Sequence, residues 1–214
     1  MTLLTDDQKM LQETAASFLA DEGGPAKQLR HWRDTACTDG YGTDFWTKFG
    51  DLGLTGIAIP ESHGGLSLGV TEAALVLEEI GRNLTPSPFL ATAVAATRAI
   101  EGTAHGERWY PGVLAGEAVL ALAVEEGPRH APEHTALAAT RSGNGFVLNG
   151  HKQFVVQGNS ADMVVTAART SGSQGERDGI TLFAVAKGTA ETQRVNLADS
   201  SKAARMTSKL RRNE

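Results

Sequence analysis

The sequence predicts an α+β fold, in which an N-terminal all-α helical domain is followed by an antiparallel β-barrel or sandwich domain. Up to about residue 116, apolar residues recur at intervals of three and four, which is typical of amphipathic helices. From Glu117 onward the apolar spacing alternates, and turns containing glycine and asparagine separate the runs. We therefore expect a helical domain over residues 1–116, a β domain over 117–207 and a polar tail over 208–214.

The helical domain carries local start and stop signals. Thr5 and Gln8 have the spacing of a capping box, which predicts a first helix over about residues 5–20. Thr43 is expected to cap a later helix, which Gly53 ends. The predicted helices cover residues 5–20, 26–34, 43–52, 71–83, 88–101 and 106–115.

The β domain contains short runs of alternating apolar residues between turns. The predicted strands cover residues 119–124, 135–141, 145–155, 162–168, 179–186 and 193–197. Asparagine and glycine at positions 143–145 and 149–150 tolerate a positive φ, so we expect a hairpin around residues 146–148. Residues 171–178 are polar and contain glycine, which predicts a surface loop.

Composition excludes several classes of protein. The net charge is −5, and no basic face that could neutralise nucleic-acid phosphates is visible in the sequence, so we expect no nucleic-acid partner. Cys37 is the single cysteine and can form neither an internal disulfide nor a thiolate metal site. The first residues lack a signal-peptide pattern, and the apolar run 118–124 has only the length of a strand. We expect a cytoplasmic protein without a membrane partner.

Ionisable residues suggest no self-contained catalytic site. His130 and His134 have i, i+4 spacing, but Pro132 would break a helix between them, so no metal site is expected. Glu78 and Glu79 would point about 100° apart on a helix and are expected on its solvated face. Glu125-Glu126 follows a predicted strand, where functional residues are commoner. No dinucleotide fingerprint or phosphate loop is present.

Five segments, in order along the chain, resemble the acyl-CoA dehydrogenase family. Residues 45–65 (FWTKFGDLGLTGIAIPESHGG) are similar to a helix ending in the family pattern lGllGiavPeeyGG, and residues 78–82 match the helix that follows it. Residues 86–94 resemble a segment of actinobacterial members, including those implicated in sterol side-chain degradation. Residues 145–152 (GFVLNGHK) resemble the family hairpin, and residues 159–162 match the start of its next strand.

The resemblance implies a cofactor, a substrate and a reaction. Family members bind FAD between the β domain and a C-terminal helical bundle, with an acyl-CoA thioester against the flavin. A carboxylate of the bundle removes the α proton while the β hydride passes to the flavin. The implied flavin contacts are Val124 and Glu125 through the backbone, Phe154 through its ring and Val156 by packing.

Two of these positions depart from the family pattern. Family members carry Thr-Glu-Pro and then Gly-Ser-Asp where this chain has residues 124–129 (VEEGPR). The threonine would donate to the flavin ring and the serine would hold the pyrophosphate, whereas Val124 offers only its backbone. Val156 replaces a hydroxyl residue beside flavin N5. Because each lost hydrogen bond costs about 0.5–1.5 kcal/mol, the departures predict a weak flavin site.

The resemblance also governs the expectations for catalysis and partners. Family members continue after residue 207 with a strand and the helical bundle, whereas residues 208–214 are polar and basic. No catalytic residue is therefore assigned, and we expect a truncated acyl-CoA dehydrogenase polypeptide that is inactive alone. It would belong to a homo- or hetero-oligomer of such subunits. The alternatives are a non-catalytic subunit that pairs with a full-length relative, and the product of a decayed gene.

Overall fold

The computed structural model describes residues 4–189, 191–192 and 205–209. The chain divides into two compact units between Ala118 and Val119. The first unit is helical, and the second is built on one sheet.

The helical unit contains six α-helices joined by other helical turns. The α-helices are α1 (Asp6–Glu22), α2 (His31–Asp34), α3 (Thr43–Asp51), α4 (Val70–Arg82), α5 (Thr97–Ala99) and α6 (Ala104–Leu114). Two π-helical segments, Ala26–Arg30 and Leu90–Ala96, lead into α2 and α5. Short 3-10 turns at Leu54–Gly56 and Glu61–His63 lie between α3 and α4.

Helix α1 begins with the predicted capping box. The backbone N–H of Gln8 donates to the Thr5 hydroxyl oxygen at 3.2 Å, and that of Thr5 donates to Gln8 Oε1 at 3.0 Å. The prediction for Thr43 was wrong, because Gly42 occupies the N-cap position of α3 and Thr43 is its first helical residue. An extended glycine can enter the helix without a side-chain cap.

Aromatic rings form the centre of the helical unit. Phe18 of α1 stacks on Phe45 at 5.3 Å between ring centroids and meets the edge of Phe49 at 5.2 Å. Trp46 packs against Phe49 at 5.4 Å, and both are almost fully buried. Phe45, Trp46 and Phe49 form the buried apolar face of α3.

Glutamine–glutamate hydrogen bonds join α1 to α4. Gln8 Nε2 donates to Glu72 Oε1 at 2.8 Å, and Gln12 Nε2 donates to Glu79 Oε1 at 3.1 Å. Glu79 is buried, which corrects the prediction that it lies on a solvated face, whereas Glu78 is exposed. Glu79 can be buried because Gln12 and Arg82 both contact its carboxylate.

The second unit is a mixed seven-stranded sheet. Its strands are β1 (Leu120–Ala123), β2 (Ala138–Ser142), β3 (Gly145–Gln153), β4 (Met163–Arg169), β5 (Ile180–Ala186), β6 (Glu191–Thr192) and β7 (Arg205–Lys209). The path β1-β4-β2-β3-β7-β6 runs through the sheet, and β5 also pairs with β4. The predicted strand at 193–197 lies outside the described residues.

A wholly antiparallel sheet was the wrong prediction. Strand β1 runs parallel to β4, with Leu120 opposite Met163, and β2 meets β4 in parallel where Ala138 faces Arg169. The other pairs are antiparallel. Alternation of apolar residues is the same for either direction, so the sequence pattern contained no signal for the parallel pairing of β1 and β4.

The β2–β3 hairpin turns earlier than predicted. Ser142 faces Gly145, and Gly143 has a φ of 57°, so the turn lies at Gly143-Asn144 and residues 146–148 belong to β3. Glycine suits this position because a left-handed backbone strains a residue with a Cβ atom.

Candidate functional site

The ends of β1 and β3 are joined just beyond their last residues. The backbone N–H of Gln153 donates to the carbonyl of Glu125 at 2.7 Å. The ammonium of Lys152 donates to the carbonyl of Val124 at 3.0 Å. Two of the four predicted flavin contacts, Val124 and Glu125, therefore lie beside the strand end that leads into the third, Phe154.

Phe154 and Val156 present apolar side chains to solvent. Phe154 is 48% exposed and Val156 is 56% exposed. Phe154 also has a φ of 53°, a left-handed conformation that is strained for a residue other than glycine. Strained backbone is commoner at ligand sites than elsewhere.

A buried ion pair involves Lys152, which precedes Phe154 by two residues in the chain. Lys152 is fully buried, and its ammonium lies 2.7 Å from Glu126 Oε1. Glu126 also accepts hydrogen bonds from the backbone N–H groups of Ala136 at 2.7 Å and Leu137 at 3.0 Å. One carboxylate thus connects the segment after β1, the segment before β2 and strand β3.

Burial and hydrogen bonding shift the pKa values of both partners. Burial lowers the pKa of Lys152, although its hydrogen bond to Glu126 opposes that shift. Burial by itself would raise the pKa of Glu126. The hydrogen bonds from Lys152 and from the two backbone N–H groups outweigh this effect and hold the pKa of Glu126 below its usual value.

His130 engages the carboxylate of Glu125. Nδ1 of His130 contacts Glu125 Oε1, and this hydrogen bond raises the pKa of His130. Glu125 is therefore held through its backbone carbonyl by Gln153 and through its side chain by His130.

A cavity of about 390 Å³ opens between the segments that flank this ion pair. Arg129, His134 and His151 line it with basic side chains, and Glu126 is the one carboxylate among its described lining residues. Gly127 and Gln174 contribute further to its wall.

Arg169 holds one wall of the cavity in place. Its guanidinium donates to five backbone carbonyls on two loops: Thr135 and Glu133 at 2.8 Å, Asp178 at 3.0 Å, Glu176 at 3.1 Å and Ser171 at 3.4 Å. Gln174 reinforces the contact by donating to the carbonyl of His134 at 2.8 Å. The surface loop predicted at 171–178 is thus fastened to the segment before β2.

The described part of the chain contains neither a metal-binding cluster nor a membrane-spanning helix. No group of three or more histidine, cysteine, aspartate or glutamate residues is placed there to hold a metal ion. Likewise, none of the described helices has the length and apolar character needed to span a membrane.

Two family models match this chain, one for each unit. The acyl-CoA dehydrogenase N-terminal domain matches residues 5–117, and the acyl-CoA dehydrogenase middle domain matches residues 125–210. The chain belongs to the acyl-CoA dehydrogenase family. The ion pair and the predicted flavin contacts from Glu125 onward lie within the middle-domain match.

Individual acyl-CoA dehydrogenases support the same assignment. Mitochondrial isovaleryl-CoA dehydrogenase of Pongo abelii is 31% identical over 195 residues, which are 86% of this chain and 45% of the relative. Cyclohex-1-ene-1-carbonyl-CoA dehydrogenase of Geobacter metallireducens is 32% identical over 198 residues, 88% of this chain and 50% of the relative. The chain spans about half the length of these curated relatives.

Solved structures share the fold. The Tcur3481-Tcur3483 steroid ACAD G363A variant superposes with a TM-score of 0.80 and 28% identity, covering 94% of this chain and 54% of that chain. A probable acyl-CoA dehydrogenase from Mycobacterium abscessus gives a TM-score of 0.76 at 28% identity, covering 95% of this chain and 55% of that chain.

Three residues that organise the site of this acyl-CoA dehydrogenase chain were not predicted as site residues. Glu126 entered the sequence analysis as one of two adjacent glutamates and Lys152 only within the hairpin motif, whereas Arg169 did not enter it at all. Lys152 contacts Glu126, which is 26 positions away in the sequence, and Arg169 contacts Glu133, which is 36 positions away. Two signals were available: the adjacent glutamates after a predicted strand, and a lysine within the predicted strand 145–155, because a lysine that a sheet buries requires a partner.

Proposed function

We propose that residues 1–214 form the helical and β domains of an FAD-dependent acyl-CoA dehydrogenase, which oxidises the α,β carbon–carbon bond of an acyl-CoA thioester. The observation that carries this proposal is the match of both family models, in succession, to the two units of the chain. The names of the relatives, which specify isovaleryl-CoA and cyclohex-1-ene-1-carbonyl-CoA, support an acyl-CoA substrate.

The residues at the ends of β1 and β3 fit the family's cofactor, FAD. The exposed side chains of Phe154 and Val156 offer an apolar surface that a planar ring system can cover. Val124 and Glu125 present backbone beside it, and Arg129 supplies a cation for an anionic diphosphate. When bound, FAD supplies the hydride acceptor. The work of these residues is to orient the ring and to exclude water from one of its faces.

The same residues leave the site short of hydrogen-bond donors. Neither Val124 nor Val156 has a hydroxyl group, so neither side chain can donate to the polar edge of a flavin. We propose that FAD binding by residues 1–214 is correspondingly weak, by about one to two decades in affinity.

The base that removes the α proton is assigned to no residue of 1–214. The relatives are about twice as long as the region matched here. We propose that the base belongs to the part of the family architecture that this region does not include, and that residues 1–214 alone do not turn over substrate.

A second candidate function is a non-catalytic subunit that pairs with a full-length relative. It is favoured by the loss of both hydroxyl groups at positions 124 and 156, which a subunit without its own flavin would tolerate. The name of the matched steroid ACAD, Tcur3481-Tcur3483, combines two designations. This supports testing the present chain together with a second subunit.

Flavin counting combined with anaerobic reduction separates the two functions. Residues 1–214 would be loaded with FAD, alone and in complex with a full-length relative, and titrated with isovaleryl-CoA or with the CoA thioester of a steroid side chain. The dehydrogenase proposal predicts no flavin bleaching for residues 1–214 alone and one flavin for each chain of the complex. One flavin for every two chains would instead support the non-catalytic subunit.

A further inference from the structure

The chain contains two asparagines that are each followed by glycine, Asn144 and Asn149. Asparagine is chemically labile, and it reacts most readily before glycine, because no side chain then hinders the following backbone nitrogen. Both asparagines are exposed, and both lie on the β2–β3 hairpin. The sequence therefore predicts similar reactivity for the two sites, and a difference between them has to come from the fold.

The fold leaves space around Asn144. This residue lies in the two-residue turn of the hairpin, and Ser142 and Gly145 form the last pair before the turn. A Cβ atom added to Gly145 would meet no atom within 4 Å, so there is open space beside this glycine. Opening a single terminal pair of the hairpin is therefore enough to let the Asn144 side chain turn toward the backbone nitrogen of Gly145.

The fold restrains Asn149 much more strongly. This residue lies within β3, opposite Ala138 of β2 on one side and Lys209 of β7 on the other. A Cβ atom added to Gly150 would come within 2.8 Å of the Leu137 Cα atom, so the backbone after Asn149 is closely packed. The same rearrangement at Asn149 requires two strand pairings to open.

We propose that Asn144 is a site of spontaneous deamidation and that the sheet protects Asn149 from the same reaction. The backbone nitrogen of Gly145 loses its proton to water and attacks the Cγ atom of Asn144, so that an N–Cγ bond forms. The side-chain nitrogen takes up a proton and leaves as ammonia. Water then opens the resulting succinimide at one of its two carbonyl groups, which gives aspartate or isoaspartate. The reaction needs no oxidant or reductant.

The products change the hairpin in two ways. Both carry a carboxylate in place of the neutral amide. Isoaspartate also lengthens the main chain by a methylene group, in a turn whose length sets Arg141 opposite Phe146. The ring of Phe146 packs against Phe183 at 5.1 Å between centroids, and the guanidinium of Arg141 lies 5.9 Å from the Phe146 centroid. The reaction therefore acts next to an aromatic contact between β3 and β5.

Peptide mapping measures both sites in one molecule. Trypsin releases both asparagines in a single peptide, residues 142–152, because Arg141 and Lys152 precede its two cleavage points. Residues 1–214 would be incubated at mildly alkaline pH and digested beside a zero-time sample, and fragment-ion mass spectrometry would locate the converted asparagine. We expect Asn144 to deamidate about tenfold or more faster than Asn149 in the folded chain. In the synthetic peptide 142–152, which has no sheet, the two rates should be similar.

Gly145→Ala is the matched variant. The added Cβ atom has open space, and Gly145 is not among the residues with a positive φ, so the hairpin can accept alanine. Alanine hinders the attacking nitrogen, so the variant should slow conversion of Asn144 several-fold and leave Asn149 unchanged. Absence of conversion at Asn144, or a rate ratio in the folded chain no greater than in the peptide, would overturn the proposal. Neither flavin nor turnover enters the measurement, so the result is independent of the proposed function.

Discussion

The ammonium of Lys152 lies 2.7 Å from Glu126 Oε1, and the lysine side chain is completely removed from solvent. The same ammonium donates to the carbonyl of Val124. The pair therefore fastens the end of β3 to the segment after β1, and these are the two stretches that carry the proposed flavin contacts. Because the pair joins these two stretches, it fixes the position of one relative to the other.

Glu126→Gln is expected to lower the free energy of unfolding by about 3 kcal/mol or more. The substitution leaves a buried ammonium facing a neutral amide, and removing one partner of a buried ion pair costs far more than removing both. Urea denaturation measures the change. The double variant Glu126→Gln/Lys152→Met should recover part of the loss.

The matched control is Lys187→Gln in the same unit. Lys187 lies 3.5 Å from Asp162 and is 63% exposed, so breaking this pair should change stability by no more than about 0.5 kcal/mol. If Glu126→Gln and Lys187→Gln lowered the free energy of unfolding equally, the buried pair would stabilise the fold no more than the exposed pair does.

The difference in stability between wild type and Glu126→Gln should shrink as the pH falls. The folded-state pKa of Glu126 is lowered, so its contribution is fully present above the unfolded pKa of about 4.3 and is lost as the pH falls through the folded value. Denaturant unfolding of both proteins from about pH 6 to about pH 3 would reveal this convergence. A difference that stays constant across this range would contradict the assigned shift.

Two substitutions of Phe154 separate the effect of backbone strain on stability from the effect of the ring on FAD binding. Phe154→Gly relieves the left-handed strain, whereas Phe154→Ala keeps it, so the glycine variant should be more stable by about 0.5–1 kcal/mol. Both variants remove the ring and should weaken FAD binding equally. Thermal unfolding and FAD titration measure the two effects. An alanine variant more stable than the glycine variant would rule out the strain.

Local signals explain which parts of the fold were predictable. The capping box of Thr5 and Gln8 lies within four residues, and the structure confirms it. The segment Leu90–Ala96 is π-helical, but an alanine-rich helix shows the same apolar pattern in either hydrogen-bond register. The parallel pairing of β1 with β4 escaped prediction because the two strands are separated by the β2–β3 hairpin.

The site was predictable only in part, and for a related reason. The resemblance gave positions for Val124, Glu125, Phe154 and Val156, because motifs are contiguous in sequence. The contacts that organise those positions are distant: Lys152 reaches Glu126 across 26 residues, and Arg169 reaches Glu133 across 36. No periodicity or spacing rule connects such residues before the sheet has formed.

The most direct test of the weakened flavin site is an FAD titration of residues 1–214, monitored by flavin fluorescence. The wild type is compared with the double variant Val124→Thr/Val156→Thr. Val147→Thr is the control, because Val147 is an exposed valine of the same unit outside the proposed contacts. We predict saturation at one FAD per chain, binding about fivefold to a hundredfold tighter in the double variant, and no change in the control. Absence of saturable binding in both wild type and double variant would contradict the account.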